Sequence, residues 1–284
     1  MKQTISNRQG KQLAVYTDCL KDAPVLVFSN SLGTDHGMWQ PQLNELKSHF
    51  NVITYDTRGH GESDVISDTT LQNLAEDVVD KNIESVIRKL VLLDILDALN
   101  IEKAHFCGIS MGGITGLWLG IHHPNRFNSI TVANSAAKIG QTEAWLSRAE
   151  SVEKNGLAEL VKTTHTRWFS EKFDYQHNVV AQTTIQSLAN TPAQGYANAC
   201  RALAYADLRD EIAQIQIPTL LIAGTEDPVT TVADAEFMQK AINNSQLAKL
   251  ESLKFFMEGR ASHLSNIEQP QRFTQELTRF IQQI

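Results

Sequence analysis

The sequence predicts an α/β fold, in which a mostly parallel twisted sheet is flanked by helices and interrupted by a helical insertion. From about residue 10 to residue 133, strand-like and helix-like segments alternate, which is the signature of parallel βαβ units. From residue 135 to residue 210 the pattern is helical, and the alternation resumes at residue 217. We therefore expect a core made of residues 1–134 and 211–284 and a helical lid made of residues 135–210.

Two short apolar runs open the predicted core. Residues 25–28 have the composition of a buried strand, and residues 29–34 follow them as a polar loop. Residues 51–55 are the next predicted strand and lead into a turn rich in glycine. His60 lies in that turn, and we predict a structural role for it.

The sequence Gly-x-Ser-x-Gly occurs at residues 108–112, after a strand-like run at 103–107 and before a helix-like run at 114–122. In this context the motif is the nucleophile elbow of α/β-hydrolases. A sharp strand-to-helix turn holds the serine in a strained backbone conformation, so its neighbours must be nearly free of side chains. The alternative is a plain glycine-rich turn with a capping serine. The flanking pattern favours the elbow, which predicts an α/β-hydrolase fold with Ser110 as the nucleophile.

The acid and the base of such a triad are expected later in the chain, in the order Ser, Asp, His. Residues 217–224 are dense enough in apolar side chains for a buried parallel strand, and Asp227 follows where ligands meet open sheets. His263 lies further on, before a final amphipathic helix. We predict that His263 takes the proton of Ser110 while Asp227 orients the imidazolium. Glu226 competes for the acid role, and we favour Asp227 because its shorter side chain before a proline is held more rigidly.

An acyl-transfer site also needs donors for the oxyanion of the tetrahedral intermediate. We predict the backbone N–H groups of Leu32, in the loop after the first core strand, and of Met111, directly after the nucleophile.

The composition limits the class of protein. A chain of 284 residues with 42% hydrophobic content fits one α/β domain with an insertion, and no stretch has the apolar length of a membrane span. The first residues lack an apolar signal core, and three cysteines are too few for a disulfide framework. A net charge of −7 argues against nucleic acid, and no paired metal-ligand spacing occurs. We expect a cytoplasmic protein without a metal, a membrane or a nucleic acid partner; the sequence makes no prediction of oligomeric state.

Five blocks in order along nearly the whole chain carry a narrower signal. They lie at residues 29–34, 55–61, 105–113, 133–140 and 263–270. The elbow and the Arg-Gly-x-Gly turn are shared by α/β-hydrolases in general, whereas Asn-Ser-Leu-Gly-Thr and Ala-Lys-Ile-Gly are much narrower. Together the blocks resemble the 3-oxoadipate enol-lactonases. The resemblance implies a cofactor-free cytoplasmic enzyme that hydrolyses the enol-lactone to 3-oxoadipate in bacterial catechol or protocatechuate breakdown.

The resembled family's lactone carries a carboxymethyl group, so the resemblance implies a cation among the apolar walls of the pocket. Arg167, beside Trp168 and Phe169, could bind a carboxylate in a bidentate way. Trp145 is a further expected substrate contact, with Arg148 as the second candidate for the cation. The alternative is that the tryptophans only attach the lid to the core and the arginines are solvated.

Two stretches depart from the family pattern, at residues 79–91 and 252–260. The first has apolar residues at helical spacing, and we expect an amphipathic helix outside the sheet. The second clusters apolar bulk shortly before His263, and we expect it to disturb the loop that delivers the imidazole.

Two other classes of function share this pattern. Other small carboxylesterases, lactonases and cofactor-free perhydrolases use the same triad and fold, and a panel of substrates would separate them. A non-catalytic binding protein on a hydrolase fold is the further alternative. An intact set of Ser110, Asp227 and His263 argues against it.

Overall fold

The computed structural model describes residues 1–7, 9–18, 22–78, 95–251 and 261–284. These residues form an eight-stranded sheet in the order β1-β2-β4-β3-β5-β6-β7-β8. The strands are β1 (Lys2–Ser6), β2 (Gln12–Asp18), β3 (Val25–Ser29), β4 (Asn51–Tyr55), β5 (Ala104–Ile109), β6 (Phe127–Ala133), β7 (Thr219–Gly224) and β8 (Ser245–Leu250). Strand β2 is antiparallel to both of its neighbours, β1 and β4, and the six strands from β4 across to β8 pair in parallel. The predicted mostly parallel α/β fold is confirmed, with β1 as a strand upstream of the predicted alternation.

The centre of the sheet is buried on both faces. Every residue of β5 and of β7 is buried, which explains why both strands read in the sequence as continuous apolar runs. The carboxyl ends of β5, β6 and β7 lie side by side in this order. Residues that follow these three strands therefore meet at one edge of the sheet.

Eleven α-helices are described. They are α1 (Gln40–Leu46), α2 (Leu71–Glu76), α3 (Ile95–Ala98), α4 (Met111–His122), α5 (Thr142–Asn155), α6 (Ala158–Trp168), α7 (Val179–Asn190), α8 (Ala193–Tyr205), α9 (Val232–Ala241), α10 (Ser265–Glu268) and α11 (Pro270–Ile281). Local chemistry sets several of the boundaries. Thr70 and Thr231 begin α2 and α9 with reciprocal capping boxes, and a proline begins α11. None of the helices in the described ranges has the length and apolar character needed to cross a membrane.

Helices α5 to α8 lie between β6 and β7 in the chain, in the stretch where the sequence predicts a helical insertion. Helix α5 packs on α8, and α8 in turn packs closely on the turn after β4. A Cβ on Gly195 would lie 2.1 Å from the carbonyl oxygen of Gly59, which itself has φ 75°. Asn198 Nδ2 donates to the carbonyl of Ile66 at 2.8 Å, so α8 is also tied to the core by a hydrogen bond. The two segments that depart from the family pattern, residues 79–91 and 252–260, lie outside the described residues.

Candidate active site

Ser110 lies between β5 and α4, with φ 56° and ψ −115°. This is a conformation that residues other than glycine rarely adopt. Its neighbours have no room for side chains: a Cβ on Gly108 would lie 2.0 Å from the carbonyl oxygen of Gly112. A Cβ on Gly112 would lie 2.2 Å from the carbonyl oxygen of Ser29. The two glycines of the motif therefore allow the sharp turn that presents Ser110.

The structure brings the three predicted triad residues together. The Ser110 hydroxyl is 2.9 Å from His263 Nε2, and His263 Nδ1 is 2.8 Å from Asp227 Oδ2. All three side chains are buried. A carboxylate can only accept, so the Nδ1 proton faces Asp227 and leaves Nε2 free to accept from the serine. This arrangement can move a proton from the serine to the histidine during attack on an acyl carbon.

Several groups besides His263 form hydrogen bonds with Asp227. Its Oδ1 accepts from the N–H groups of Val229 at 2.7 Å and Thr230 at 3.1 Å, and its Oδ2 also accepts from the Thr230 hydroxyl at 2.8 Å. Burial opposes ionisation, but the charge of His263 and these hydrogen bonds outweigh it and lower the pKa of Asp227. Glu226, the competing acid, is exposed, and it is Asp227 that contacts the histidine.

Asn134 is a site residue that the sequence analysis missed. It directly follows β6, has φ 41°, and donates from Nδ2 to Asp227 Oδ2 at 3.0 Å and to the carbonyl of Ser262 at 2.9 Å. It thereby joins the acid to the loop that carries the histidine. An asparagine at the carboxyl end of a buried strand, within the block at residues 133–140, is the signal in the sequence that points to it.

The predicted oxyanion donors lie beside the serine. Within the described part of the chain, the N–H groups of Leu32 and Met111 donate no hydrogen bond to another residue, whereas the next amide in each case is engaged. Gly112 N–H donates to the carbonyl of Asn30 at 3.0 Å, and Gly33 N–H donates to His60 Nε2 at 3.0 Å. Two unengaged amides near the nucleophile are what an oxyanion hole requires.

His60 supports the loop that carries Leu32, in keeping with the structural role predicted for it. Its Nε2 accepts from Gly33 N–H and its Nδ1 lies 3.2 Å from the carbonyl of Arg58, so the neutral ring satisfies both partners. Complete burial lowers the pKa of His60, against the opposing effects of the Arg58 carbonyl and of nearby carboxylates.

A cavity of about 240 Å³ opens onto Ser110 and His263. Helices α5, α6 and α8 contribute to its wall, as do loop residues that follow β3, β6 and β7, and the wall includes the expected substrate contacts. The expected contacts that line the cavity are Trp145, Arg148 and Arg167, and the residues Thr164, Trp168 and Tyr196 line it beside them. The Trp145 indole donates to the carbonyl of Ile139 at 2.6 Å, and the Arg148 guanidinium lies 4.7 Å from the centre of the Trp145 ring.

The cavity contains two guanidinium groups. Among the described residues, no carboxylate forms an ion pair with Arg148 or with Arg167. Both side chains are half-buried. Burial and the neighbouring charge of Arg148 lower the pKa of Arg167, an effect that the Tyr196 hydroxyl opposes. Two adjacent cations without an acidic partner favour an anion at this end of the cavity.

One cluster elsewhere has the composition of a metal site. Ligand atoms of Asp35, His36 and Asp56 lie within 4.8 Å of one another. Asp56 accepts from the N–H groups of His36 and Glu62, each at 2.9 Å, so its carboxylate already organises the turns that follow β3 and β4. None of the three residues lines the cavity beside Ser110.

Comparisons with known proteins agree with this geometry. A family model described as alpha/beta hydrolase fold matches residues 24–270. The chain is 62% identical over 280 residues to 3-oxoadipate enol-lactonase 1 of Acinetobacter baylyi, which covers 99% of this chain and 97% of that protein. It is 46% identical to 3-oxoadipate enol-lactonase 2 of the same organism, over 89% of this chain and 86% of that one.

A solved structure is similar along the whole chain. The crystal structure of the enol-lactonase from Burkholderia xenovorans LB400 superposes with a TM-score of 0.86, at 35% identity, over 99% of this chain and 100% of that one. The match therefore includes the helical insertion as well as the sheet. On the strength of its fold, its serine elbow and these relatives, the chain belongs to the 3-oxoadipate enol-lactonase family of the α/β hydrolases.

Proposed function

We propose that this protein is a carboxylic-ester hydrolase that opens 3-oxoadipate enol-lactone to 3-oxoadipate. The observation that carries the proposal is the hydrogen-bonded chain Ser110–His263–Asp227 beside a cavity with two guanidinium groups that, among the described residues, lack an acidic partner. The proposed substrate needs both features, because its ring is an ester and its side chain is a carboxylate. Membership of the enol-lactonase family supports this particular lactone.

Acylation begins when Ser110 Oγ attacks the lactone carbonyl carbon and its proton passes to His263 Nε2. The carbonyl oxygen becomes an oxyanion, which the N–H groups of Leu32 and Met111 stabilise. Asp227 stabilises the imidazolium through its bond to Nδ1. The ring C–O bond then breaks, and the leaving enol oxygen takes the proton from Nε2. Because the leaving group is part of the same molecule, it stays attached to the acyl-enzyme.

Deacylation repeats these steps with water as the nucleophile. His263 takes a proton from the water, the hydroxide adds to the ester carbon, and the proton returns to Ser110 as the acyl–oxygen bond breaks. The product has a new carboxylate at the former lactone carbonyl. Its enol tautomerises to the ketone, which gives 3-oxoadipate.

For substrate binding, we assign the carboxylate of the lactone to Arg167, with Arg148 as the neighbouring cation and Trp145 as the apolar wall. The two guanidinium groups and the shared cavity support this assignment. We also propose that residues 135–210 act as a lid on a core of residues 1–134 and 211–284, because α5, α6 and α8 all contribute to the wall of the cavity that opens onto Ser110. The partner is then a small molecule. A cytoplasmic location fits Cys107 and Cys200, which are buried free thiols.

Incubation of the purified protein with the enol-lactone, followed by detection of 3-oxoadipate, tests the proposed function. We expect turnover with a kcat/KM well above that for simple aryl esters. Hydrolysis of aryl esters without lactone turnover would instead assign the protein to the general carboxylesterases. Absence of both activities, together with failure of a fluorophosphonate to label Ser110, would point to a non-catalytic binding protein.

A further inference from the structure

The loop that carries His263 is joined to the end of α6 on both sides of the histidine. We call residues 261–264 the histidine loop. After the histidine, Leu264 N–H donates directly to the carbonyl of Trp168 at 2.9 Å. Before it, Ser262 N–H donates to Glu268 Oε2 at 2.8 Å, and Glu268 in turn accepts from Ser170. The histidine loop therefore has two hydrogen-bonded connections to the three residues that end α6 and follow it.

Glu268 is the centre of the second connection. Its carboxylate accepts from Ser170 N–H at 3.3 Å and 3.4 Å on its two oxygens, and from the Ser170 hydroxyl. The carboxylate is half-buried, and no Lys, Arg or His side chain in the described ranges forms an ion pair with it. Burial raises the pKa of Glu268, and the hydrogen bonds from Ser170 and Ser262 oppose this effect. A carboxylate in this position is held by amide and hydroxyl donors from two separate segments.

The same end of α6 forms part of the substrate cavity. Thr164, Arg167 and Trp168 are spaced at i, i+3 and i+4, lie on one face of the helix, and line the cavity with Ser110. Arg167 is thus one residue from the carbonyl that binds Leu264 and three residues from the serine that binds Glu268. A ligand that fixes Arg167 also fixes the segment to which the histidine loop is bonded.

We propose that Glu268 is a positioning residue that couples carboxylate binding at Arg167 to the placement of His263 against Ser110. The coupling rests on the proposed function, because it requires an anionic substrate at Arg167. Substrate binding then stabilises the histidine loop in the geometry that the reaction needs. Because a misplacement of about 1 Å in a reacting group can lower a rate on the order of 100-fold, a coupling of this kind is visible in kcat.

A pair of 4-nitrophenyl esters tests the coupling without the enol-lactone. One acyl chain ends in a free carboxylate, and the other has the same length and ends in a methyl group. The quantity to measure is the ratio of the two kcat values, in wild type, Glu268→Gln, Arg167→Met and the double variant. Glutamine has one acceptor oxygen in place of two and no negative charge, so it can accept from only one of Ser262 N–H and the Ser170 hydroxyl, which now bond to different oxygens of Glu268.

In wild type we expect a higher kcat for the carboxylated ester. Glu268→Gln should lower the ratio by about tenfold, since it affects the placement of His263 against Ser110. The KM for the carboxylated ester should change by less than about threefold. Arg167→Met should lower the ratio and raise that KM. The double variant should lower the ratio no further than Arg167→Met alone, since both changes break one coupling.

Two further variants serve as controls. Ser170→Ala removes only the hydroxyl of the connection, so it should give a smaller fall in the same ratio and tests the proposal even if Glu268→Gln fails to fold. Glu236→Gln alters an exposed carboxylate that pairs with Lys249, and it should leave the ratio unchanged.

Other results would overturn the coupling. A wild-type ratio near one, an unchanged ratio in Glu268→Gln, or additive effects in the double variant would each do so. Equal losses of kcat on both esters would show that Glu268 acts on both substrates alike and is not coupled to carboxylate binding at Arg167. A wild-type protein that shows the coupling on the esters but leaves the enol-lactone intact would instead refute the proposed function alone.

Discussion

At the scale of single residues, Ser110 combines a strained backbone with a mobile proton. Its N–H donates to the carbonyl of Ala133 at 2.9 Å, and its own carbonyl accepts from the Ser135 hydroxyl at 2.7 Å. The main chain is therefore fixed on both sides of the strained residue, while the hydroxyl is bonded to His263. Side-chain chemistry at this position can be changed without altering the turn.

Ser110→Ala should accordingly fold like the wild type and lose several orders of magnitude in kcat, as loss of a triad serine does elsewhere. Steady-state kinetics on the lactone measures the loss, and the thermal midpoint checks the fold. Retention of more than about a tenth of the wild-type rate would remove Ser110 from the mechanism.

Arg167→Met keeps much of the side-chain volume and removes the guanidinium. It should reduce kcat/KM for the carboxylated lactone by about 10- to 150-fold more than for an uncharged ester, which corresponds to about 1.5–3 kcal/mol for a charge-assisted hydrogen bond. The matched control is Arg209→Met, because Arg209 is exposed and pairs with Asp207 away from the cavity. Equal losses on the two substrates would give Arg167 a structural role and move the search for the cation to Arg148.

Among the site residues, the sequence predicts those that belong to a local motif or that follow a known order along the chain. Ser110, Asp227 and His263 are of this kind. Asn134 is not, because its contact with Asp227 arises only when β6 and β7 become neighbours in the sheet. Glu268 is similar, since its bond to Ser170 joins residues 98 positions apart.

At the scale of elements, the turn between β5 and α4 explains one difference from the predicted boundaries. The helix is predicted from residue 114, but it begins at Met111. Gly112 and Gly113 have low helix propensity and carry no apolar side chain, so periodicity does not detect them. Burial of the whole first turn against β3 and β6 outweighs that propensity. The sequence does not predict strand β8, because its partly exposed residues lack a continuous apolar run.

Gly108→Ala tests the turn between β5 and α4 directly. The new Cβ would meet the carbonyl oxygen of Gly112 at 2.0 Å, so the backbone must shift, with an expected loss of about 1–3 kcal/mol in the free energy of unfolding. We also expect kcat to fall by at least about 100-fold, because the nucleophile moves.

The same substitution at Gly156, at the end of α5, is the control. Gly156 has φ 72°, and a Cβ at this position would have no described atom within 4 Å. Gly156→Ala should therefore lose about 1–3 kcal/mol to backbone strain, because φ 72° with ψ −167° is a conformation that essentially only glycine adopts, and leave kcat unchanged. Urea unfolding and lactone kinetics on both variants separate the two effects. A Gly108→Ala variant with wild-type kcat would contradict the crowding described for the elbow.

At the scale of the whole molecule, buried histidines make stability depend on pH. Burial lowers the pKa of His60 and of His105 in the folded state. The unfolded chain therefore binds more protons below its ordinary histidine pKa of about 6.5. The contribution of these residues to stability is complete above that pH and decreases as the pH falls below it. The lowered pKa of Asp227 affects stability only at more acidic pH, below about 4, where this carboxylate would be protonated in the unfolded chain.

Urea unfolding at pH 7.5 and at pH 5.5 should show a lower free energy of unfolding at the acidic value, by at most about 1.4 kcal/mol per pH unit for each histidine. His60→Gln keeps an acceptor for Gly33 N–H but does not titrate, so it should reduce this difference between the two pH values. If His60→Gln and wild type lose the same free energy over this interval, His60 is not a source of the pH dependence.

The close contact between Gly59 and Gly195 has a consequence for engineering a new substrate range. Neither glycine can be replaced by a larger residue, because the two backbones are in contact there. Helix α8 therefore tolerates little change of sequence at Gly195. By contrast, helices α5 and α6 line the cavity with the side chains of Arg148, Thr164 and Arg167. A mutant library aimed at lactones with other substituents should therefore vary these three positions and keep both glycines constant. Such a library changes the charge and size of the cavity wall and preserves the packing of α8 on the core.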